Sequence, residues 1–391
     1  MNELDKSSTI LLLSSDGNTV NVIKNILFEL GYKKVRPMEN GIEAISEINK
    51  GPCDFIICDM SVKFISGLAL IKEVKVSERI KNMPAMLIGN EKAPASEEEL
   101  KQYGIVGYLK GPFKANDIEN LIRSTLFLFN TSGTIESKFT DAKEALINNE
   151  TEEAIDRFSE LHSLTKNGSR ASIGLSESYI QAADYEKAAE VITSINDSED
   201  LSPSIIATQV KVLLQQNRAE EAVASVRKIL EQQIANIPYY LAKFLRMFMN
   251  HKVLDFSNEI CKIGITKKYQ IPDFSLNLGK IHYFKSDFQT TLTILQQCED
   301  TFGLSNDLLN VRGVCYKKLH NFELAIQSYE KALELTPMDA KIYFNLASCS
   351  IAMKDYAQAI KYLESCTEIA PNMKNAVDKL AELKDFIQKA G

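Results

Sequence analysis

The sequence predicts two domains of different class: a doubly wound α/β domain followed by an all-α solenoid. Two observations indicate this architecture. Over residues 1–128 short apolar runs alternate with amphipathic stretches, a pattern typical of a parallel sheet covered by helices. After residue 135 the strand signals stop, and a pattern with a period of about 34 residues begins.

Five apolar runs are predicted to form the sheet: TILLL (9–13), KVRPM (34–38), FIIC (55–58), AMLI (85–88) and GYL (107–109). Helical patterns lie between and after them, at 19–30, 42–49, 67–76, 97–103 and 115–127. Five such units make a doubly wound domain of flavodoxin-like size. The stretch FLFNTSGTIES (127–137) contains Thr, Ser and Gly and marks a boundary, so we predict domains at 1–128 and 135–391.

The composition is that of a soluble globular chain, with 391 residues, 45% hydrophobic and 25% charged. A formal charge of −7 argues against nucleic acid or anionic membrane as the main partner. No apolar run approaches the ~18 residues that cross a bilayer, and the start, MNELDKSST, lacks the basic region of a signal peptide. We therefore expect a cytoplasmic protein that binds neither nucleic acid nor membrane.

Enzyme signatures are missing from the sequence. The seven cysteines are scattered and form no C-x-x-C pair, which argues against a disulfide framework or a zinc site. We find no nucleophile elbow, P-loop or glycine fingerprint for a dinucleotide. The sequence therefore predicts a protein that is not an enzyme.

The repeated pattern is clearest in NDLLNVRGVCYKKLHNFELAIQSYEKALELTPMD. Positions 8, 11, 20, 24, 27 and 32 of this 34-residue unit hold Gly313, Tyr316, Ala325, Tyr329, Ala332 and Pro337. The unit resembles the tetratricopeptide repeat, in which small residues let paired helices approach and a proline ends the second helix. In-phase units start near 135, 169, 203, 237, 271, 306 and 340. We predict about seven helix pairs and a capping helix at 374–390.

Four segments of the first domain resemble a bacterial response-regulator receiver: FIICDM (55–60), FISGLALIKEV (64–74), MPAMLIGN (83–90) and GIVGYLKGPF (104–113). The resemblance covers about residues 8–128. It implies a flavodoxin-like fold in which Asp59, at the end of the third strand, accepts a phosphoryl group from a donor histidine. It also implies a cis peptide bond between Gly111 and Pro112.

The resemblance further implies which residues support the chemistry at Asp59. Receivers use two acidic residues to hold Mg²⁺, and a hydroxyl and a lysine to contact the phosphoryl group. In this sequence the acidic pair aligns to Ser14 and Ser15, the hydroxyl to Gly89 and the lysine to Gly111. The site is therefore degenerate, with Asp59 left as the acceptor and as a weak metal ligand.

Three neighbouring residues keep a functional site possible. Asp16 follows the aligned pair by one residue, so a slip in the loop would make it a metal ligand. Lys110 is one residue from the lysine position, but on a strand that slip turns its side chain to the other face. Asn90 could donate a hydrogen bond in place of the missing hydroxyl. No cofactor is certain, and Mg²⁺ would bind if the receiver site is functional.

The tetratricopeptide resemblance places a partner in the groove lined by the first helix of each pair. In the middle units the groove positions include Leu245, Phe248, Met249, Lys280, Tyr283 and Phe284. This set is more apolar than a solvated groove needs, and it suits an amphipathic helix or aromatic anchors of a partner protein. Two alternatives stay open: the degenerate unit near 237 buries these residues, or the patch serves self-association as a homodimer.

Two functional hypotheses follow. In the first, the chain is a signalling adaptor of a two-component, phosphorelay-type pathway, with a degenerate receiver and a repeat scaffold that binds partner proteins. In the second, the chain is a true response regulator in which phosphorylation of Asp59 alters the repeat array as its output domain. Ser14, Ser15, Gly89 and Gly111 favour the adaptor, whereas Asp59 and Asp16 favour the switch.

Overall fold

The computed structural model describes residues 4–48, 51, 53–63, 65–77, 80–90, 100–101, 103–131, 133–166, 168–195, 203–231 and 237–390. The chain divides into two compact units, Met1–Met247 and Phe248–Gly391. No helix in the described residues is long and apolar enough to cross a membrane.

A five-stranded, fully parallel sheet forms the N-terminal domain, with strand order β2-β1-β3-β4-β5. Its strands are β1 (Thr9–Leu13), β2 (Lys34–Met38), β3 (Phe55–Asp59), β4 (Ala85–Gly89) and β5 (Tyr108–Lys110). All five predicted strands are confirmed to within one residue at each end. The doubly wound α/β class predicted from the alternation of strands and helices is confirmed too.

Four helices of this domain are described: α1 (Gly17–Glu29), α2 (Gly41–Ile48), α3 (Gly67–Val76) and α4 (Ala115–Asn130). The predicted helix at 97–103 lies largely outside the described residues. One face of the sheet packs against α1 and α4, which place Ile23, Leu27, Ile118 and Ile122 on the buried strand residues. Each fully buried side chain of this size contributes about 1.5–3 kcal/mol.

Helices alone follow. They are α5 (Ile135–Ile147), α6 (Thr151–Leu164), α7 (Ser169–Gln181), α8 (Tyr185–Thr193), α9 (Pro203–Gln215), α10 (Ala219–Glu231), α11 (Ile237–Asn250), α12 (Leu254–Thr266), α13 (Pro272–Phe284), α14 (Phe288–Phe302), α15 (Asn306–Lys318), α16 (Phe322–Leu335), α17 (Ala340–Ala352), α18 (Tyr356–Ile369) and α19 (Lys374–Ala390). Within each compact unit, most of these helices that follow one another in the chain pack together, which confirms the all-α solenoid.

The repeat period also appears in the backbone. The turn inside each helix pair contains one residue with a left-handed conformation, φ between 58° and 63°: Asn149, Ala183, Asn217, Lys252, Ser286, His320 and Lys354. Glycines provide close approach of helices between successive pairs, as at Gly174, and within a pair, as at Gly313. A Cβ at Gly174 would lie 2.2 Å from the Phe158 ring, and one at Gly313 would lie 2.4 Å from the Tyr329 ring. The small residues of the repeat are thus required by packing.

Candidate functional site

Asp59 is the last residue of β3, and its side chain is buried, at 2% exposure. One carboxylate oxygen accepts a hydrogen bond from the Ser14 hydroxyl at 2.7 Å, and the other accepts one from the backbone N–H of Ser61 at 3.0 Å. A buried carboxylate requires such partners, because an unpaired charge away from water is costly. A serine hydroxyl therefore satisfies the aspartate that a receiver would use as its phosphoacceptor.

Ser14 and Ser15 follow β1, whose end lies beside the end of β3 in the parallel register. The Ser15 hydroxyl and its backbone N–H both donate to the carbonyl oxygen of Ser61, the N–H at 2.8 Å. The loops after β1 and β3 are therefore joined by direct hydrogen bonds. Both serines are neutral, whereas Mg²⁺ prefers carboxylate oxygens.

Asp16 is the N-cap residue of α1. Its carboxylate accepts hydrogen bonds from the backbone N–H groups of Asn18 and Thr19, both at 3.1 Å, and from the Thr19 hydroxyl at 2.7 Å. These hydrogen bonds, that from the Thr19 hydroxyl foremost, lower the pKa of Asp16. Both oxygens of this weak metal candidate thus serve the start of the helix. Among the described residues, no three His, Cys, Asp or Glu side chains come together as a possible metal site.

Gly89 and Gly111 lie at the ends of β4 and β5, and the N–H of Gly111 donates to the carbonyl of Gly89 at 2.9 Å. A Cβ at Gly89 would lie 2.3 Å from the Tyr108 hydroxyl, and one at Gly111 would lie 2.5 Å from Oδ1 of Asn90. Tyr108, which the sequence did not single out, therefore fills the space beside Gly89. The Gly111–Pro112 bond is cis, as predicted.

Gly67 brings α3 against the end of β3. A Cβ at this position would lie 2.2 Å from the carbonyl oxygen of Asp59, which is backbone and cannot move aside without shifting the strand. Helix α3 therefore starts in direct contact with the residue that would be phosphorylated. Its other end, at Val76, lies beside a second group of buried polar residues.

Buried charges connect the end of α3 to the first repeats. Nζ of Lys75 lies 3.5 Å from Oε2 of Glu136, and Arg170 forms an ion pair with the same carboxylate. Asn82 accepts hydrogen bonds from Lys75 at 3.2 Å and from Arg170 at 3.1 Å. Lys143 donates to the carbonyl oxygens of α3. The sequence did not predict this cluster, and its only signal was charge at first-helix positions of two repeats.

Burial governs the ionisation of this cluster. Desolvation lowers the pKa of Lys75 to about 7, although Glu136 raises it. Burial would raise the pKa of Glu136, but Arg170 and Lys75 outweigh that effect and lower it to about 2. The carboxylate of Glu136 is therefore ionised at neutral pH and faces the Arg170 guanidinium.

The residues predicted to line a partner groove differ in exposure. Leu245 and Phe248 are fully buried, so the prediction that these two line an open groove is wrong. The degenerate repeat packs them inward: the Phe248 ring meets the Phe256 ring edge to face at 4.9 Å. Met249, Lys280 and Tyr283 are partly buried, and Phe284 is 55% exposed.

Comparison with known proteins yields three family matches. The model for the response regulator receiver domain matches residues 10–123. Two tetratricopeptide repeat models match residues 307–339 and 340–373. These matches confirm the receiver and tetratricopeptide resemblances found in the sequence.

Similar proteins include two chemotaxis proteins. CheY-3 of Vibrio cholerae is 29% identical over 112 residues, which cover 29% of this chain and 86% of that protein. CheY of Pseudomonas aeruginosa is 28% identical over 113 residues, which cover 29% of this chain and 91% of that protein.

Two solved structures are also similar to this chain. The APC/C hetero-tetramer Cut9-Hcn1 gives a TM-score of 0.42 at 16% identity over 67% of this chain, which spans about half (51%) of that chain. MamA 41-end from Desulfovibrio magneticus gives a TM-score of 0.35 at 12% identity, and the match covers 39% of this chain and 85% of that chain.

Proposed function

We propose that this chain, in which a response regulator receiver domain precedes tetratricopeptide repeats, is a signalling adaptor of a phosphorelay-type pathway. A receiver joined to such repeats is the make-up of a signalling protein with a protein-interaction scaffold. Both modules are typically non-catalytic. In this proposal the receiver has lost its phosphorylation chemistry and keeps its fold for its surfaces, and the protein works in the cytoplasm.

The hydrogen bond from Ser14 to Asp59 carries this proposal. It places a neutral hydroxyl 2.7 Å from the carboxylate, where a metal-binding acid would be expected, and Asp16 uses its own carboxylate to cap α1. These residues fit Mg²⁺ poorly, because the ion prefers several charged oxygen ligands. Gly89 and Gly111 supply neither a hydroxyl nor an ammonium group for a phosphoryl group.

A phosphorylation-switched response regulator is the second candidate. Two observations favour it: Asp59 is retained at the end of β3, and α3 begins in contact with its carbonyl oxygen. A phosphoryl group there would add charge at one end of a helix whose other end meets the repeats. The repeats would then be the output domain, and Mg²⁺ would be needed at Asp59.

We place the binding of a partner protein on the repeats. Phe284 is exposed, its ring centroid lies 5.8 Å from that of Tyr283, and Nζ of Lys280 lies 3.4 Å from a carboxylate oxygen of Asp307. An exposed aromatic side chain beside a polar rim suits an aromatic anchor or an amphipathic helix of a partner. A second copy of the chain would be one such partner.

The test is the intact mass of the full chain after incubation with acetyl phosphate and Mg²⁺, beside an Asp59→Asn variant. The adaptor proposal expects no added phosphoryl group in either protein. A gain of one phosphoryl group in the unmodified chain alone would contradict it and support the switch. Peptide mapping would then locate the group.

A further inference from the structure

Helix α7 is unusual for a repeat helix, because nine successive residues, 170–178, are buried. A helix at the surface of an array normally leaves one stripe exposed to water. Burial on all sides means that neighbours cover the face that would line the groove. Repeat helices α6, α8 and α9 cover most of α7, and α3 of the receiver also contacts it, within the first compact unit.

The C-terminal end of α3 is bound by a lysine of the first repeat. Nζ of Lys143, in α5, donates to the carbonyl oxygens of Val74 at 3.0 Å and Lys75 at 3.2 Å. The last carbonyls of a helix have no partner within the helix and carry partial negative charge, so a hydrogen-bond donor there is favourable. The repeat thus recognises the end of a receiver helix.

Two ion pairs complete the contact between the receiver and the repeats, and the acidic residue lies on the repeats in one and on the receiver in the other. Glu136 of the repeats faces Lys75 of the receiver, and Lys243 of α11 forms an ion pair with Glu73 of the receiver. Gly104 allows a close approach, since its φ is +65° and a Cβ there would lie 2.2 Å from Cδ of Glu136. Charge and shape are therefore matched at two separate helices of the array, α5 and α11.

We propose that the receiver is a built-in ligand of the groove formed by the first helices of the N-terminal repeats, α5, α7 and α11, and that it closes this groove to outside partners. This inference goes beyond the proposed function and is independent of phosphorylation at Asp59. It accounts for a receiver fold that persists without its supporting residues, since the fold supplies α3 and its charged end. An outside protein reaches this groove only after the receiver has left it.

The first experiment asks whether the receiver stays bound to the repeats after the covalent link between them has been cut. A protease recognition sequence is inserted at Gly133, where a Cβ would meet nothing within 4 Å. After cleavage of the folded full chain, the two fragments are expected to co-elute in size-exclusion chromatography at 0.15 M salt. Separate elution of fragments that keep native circular dichroism would overturn the proposal.

Charge reversal identifies the contact. We expect Lys243→Glu to weaken fragment association at least tenfold, because it places two carboxylates together at Glu73. The exchange Lys243→Glu with Glu73→Lys should restore association, a result that mere misfolding would not give. Lys138→Glu, in the exposed pair with Glu160 on the repeats, is the matched control and should leave association unchanged. Unweakened association in Lys243→Glu would refute the assigned contact.

Shielding of the groove is measured separately in the uncut chain by acetylation of lysines with an amine-reactive ester and mass spectrometry. Lys143 is buried and Lys138 is partly exposed, so Lys143 should react at least tenfold more slowly. In the Lys243→Glu variant Lys143 should react faster, so the ratio of the Lys138 rate to the Lys143 rate should fall. Equal rates in the unmodified chain would show an open groove and overturn the proposal.

Discussion

Replacing Glu136 by Gln removes a buried carboxylate that faces Lys75 and Arg170. The pKa of Glu136 is lowered from 4.5 to about 2, because the two cations outweigh the effect of burial. The folded pKa lies below the unfolded value, so the carboxylate contributes its full stabilisation above pH 4.5 and loses it as the pH falls toward 2. At 1.36 kcal/mol per pKa unit, this shift corresponds to about 3 kcal/mol.

The assay is hydrogen exchange of the full chain read by mass spectrometry over α3 and α5. At pH 7 the Glu136→Gln variant should open these helices roughly a hundredfold more often than the unmodified chain, as about 3 kcal/mol requires. At pH 3 the difference should shrink, because the unmodified carboxylate is then losing its advantage. A difference that is absent at pH 7, or equal at both pH values after correction for intrinsic exchange, would refute the reasoning.

Glu153→Gln provides the control for this experiment. Glu153 pairs with Arg157 four residues later on α6, and both side chains are more than a third exposed. Exposed pairs of this kind contribute about 0.2–1 kcal/mol. Exchange over α3 and α5 should therefore match that of the unmodified chain at both pH values.

Three further substitutions test the packing and the acidic site by thermal unfolding. Gly67→Ala should destabilise the first unit by about 1–3 kcal/mol, because the added Cβ would lie 2.2 Å from the Asp59 carbonyl oxygen. Gly174→Ala should have a similar cost, because its Cβ would lie 2.2 Å from the Phe158 ring. Ser14→Asp places a second carboxylate beside Asp59. Repulsion of up to about 4 kcal/mol at 4 Å should lower the midpoint, and Mg²⁺ should restore it.

Each of these substitutions is compared with a matched control variant. Gly17→Ala adds a Cβ with nothing within 4 Å, so its midpoint should stay level or rise slightly. A Gly67 or Gly174 variant that melts like Gly17→Ala would contradict the packing argument. Ser14→Ala removes the hydroxyl without adding charge and should not respond to Mg²⁺. A Ser14→Asp variant that is equally insensitive to Mg²⁺ would show that the loop cannot form a metal site.

Patterns local in sequence were sufficient to predict the architecture. Strand β3 is an unbroken apolar run because both faces of a parallel sheet are covered. The strand ends at Asp59, where the polar loop at the edge of the sheet begins. Packing explains the repeat period, since the small residue Gly313 and the large residue Tyr329 meet inside their helix pair. The same local alignment drew attention to Ser14 and Asp59, which the structure brings within hydrogen-bond distance.

Exposure and charge pairing were decided by the tertiary structure. Leu245 and Phe248 have the spacing of groove residues, but whether such a position meets water depends on neighbours distant in the sequence. In the same way, Lys75 and Glu136 are 61 residues apart and carry no shared motif. The sequence by itself determined the five strands, the repeat period and the resemblances to a receiver and to tetratricopeptide repeats. Only the tertiary structure placed the receiver on the repeats, because long-range burial and ion pairing depend on the path of the whole chain and not on any local period.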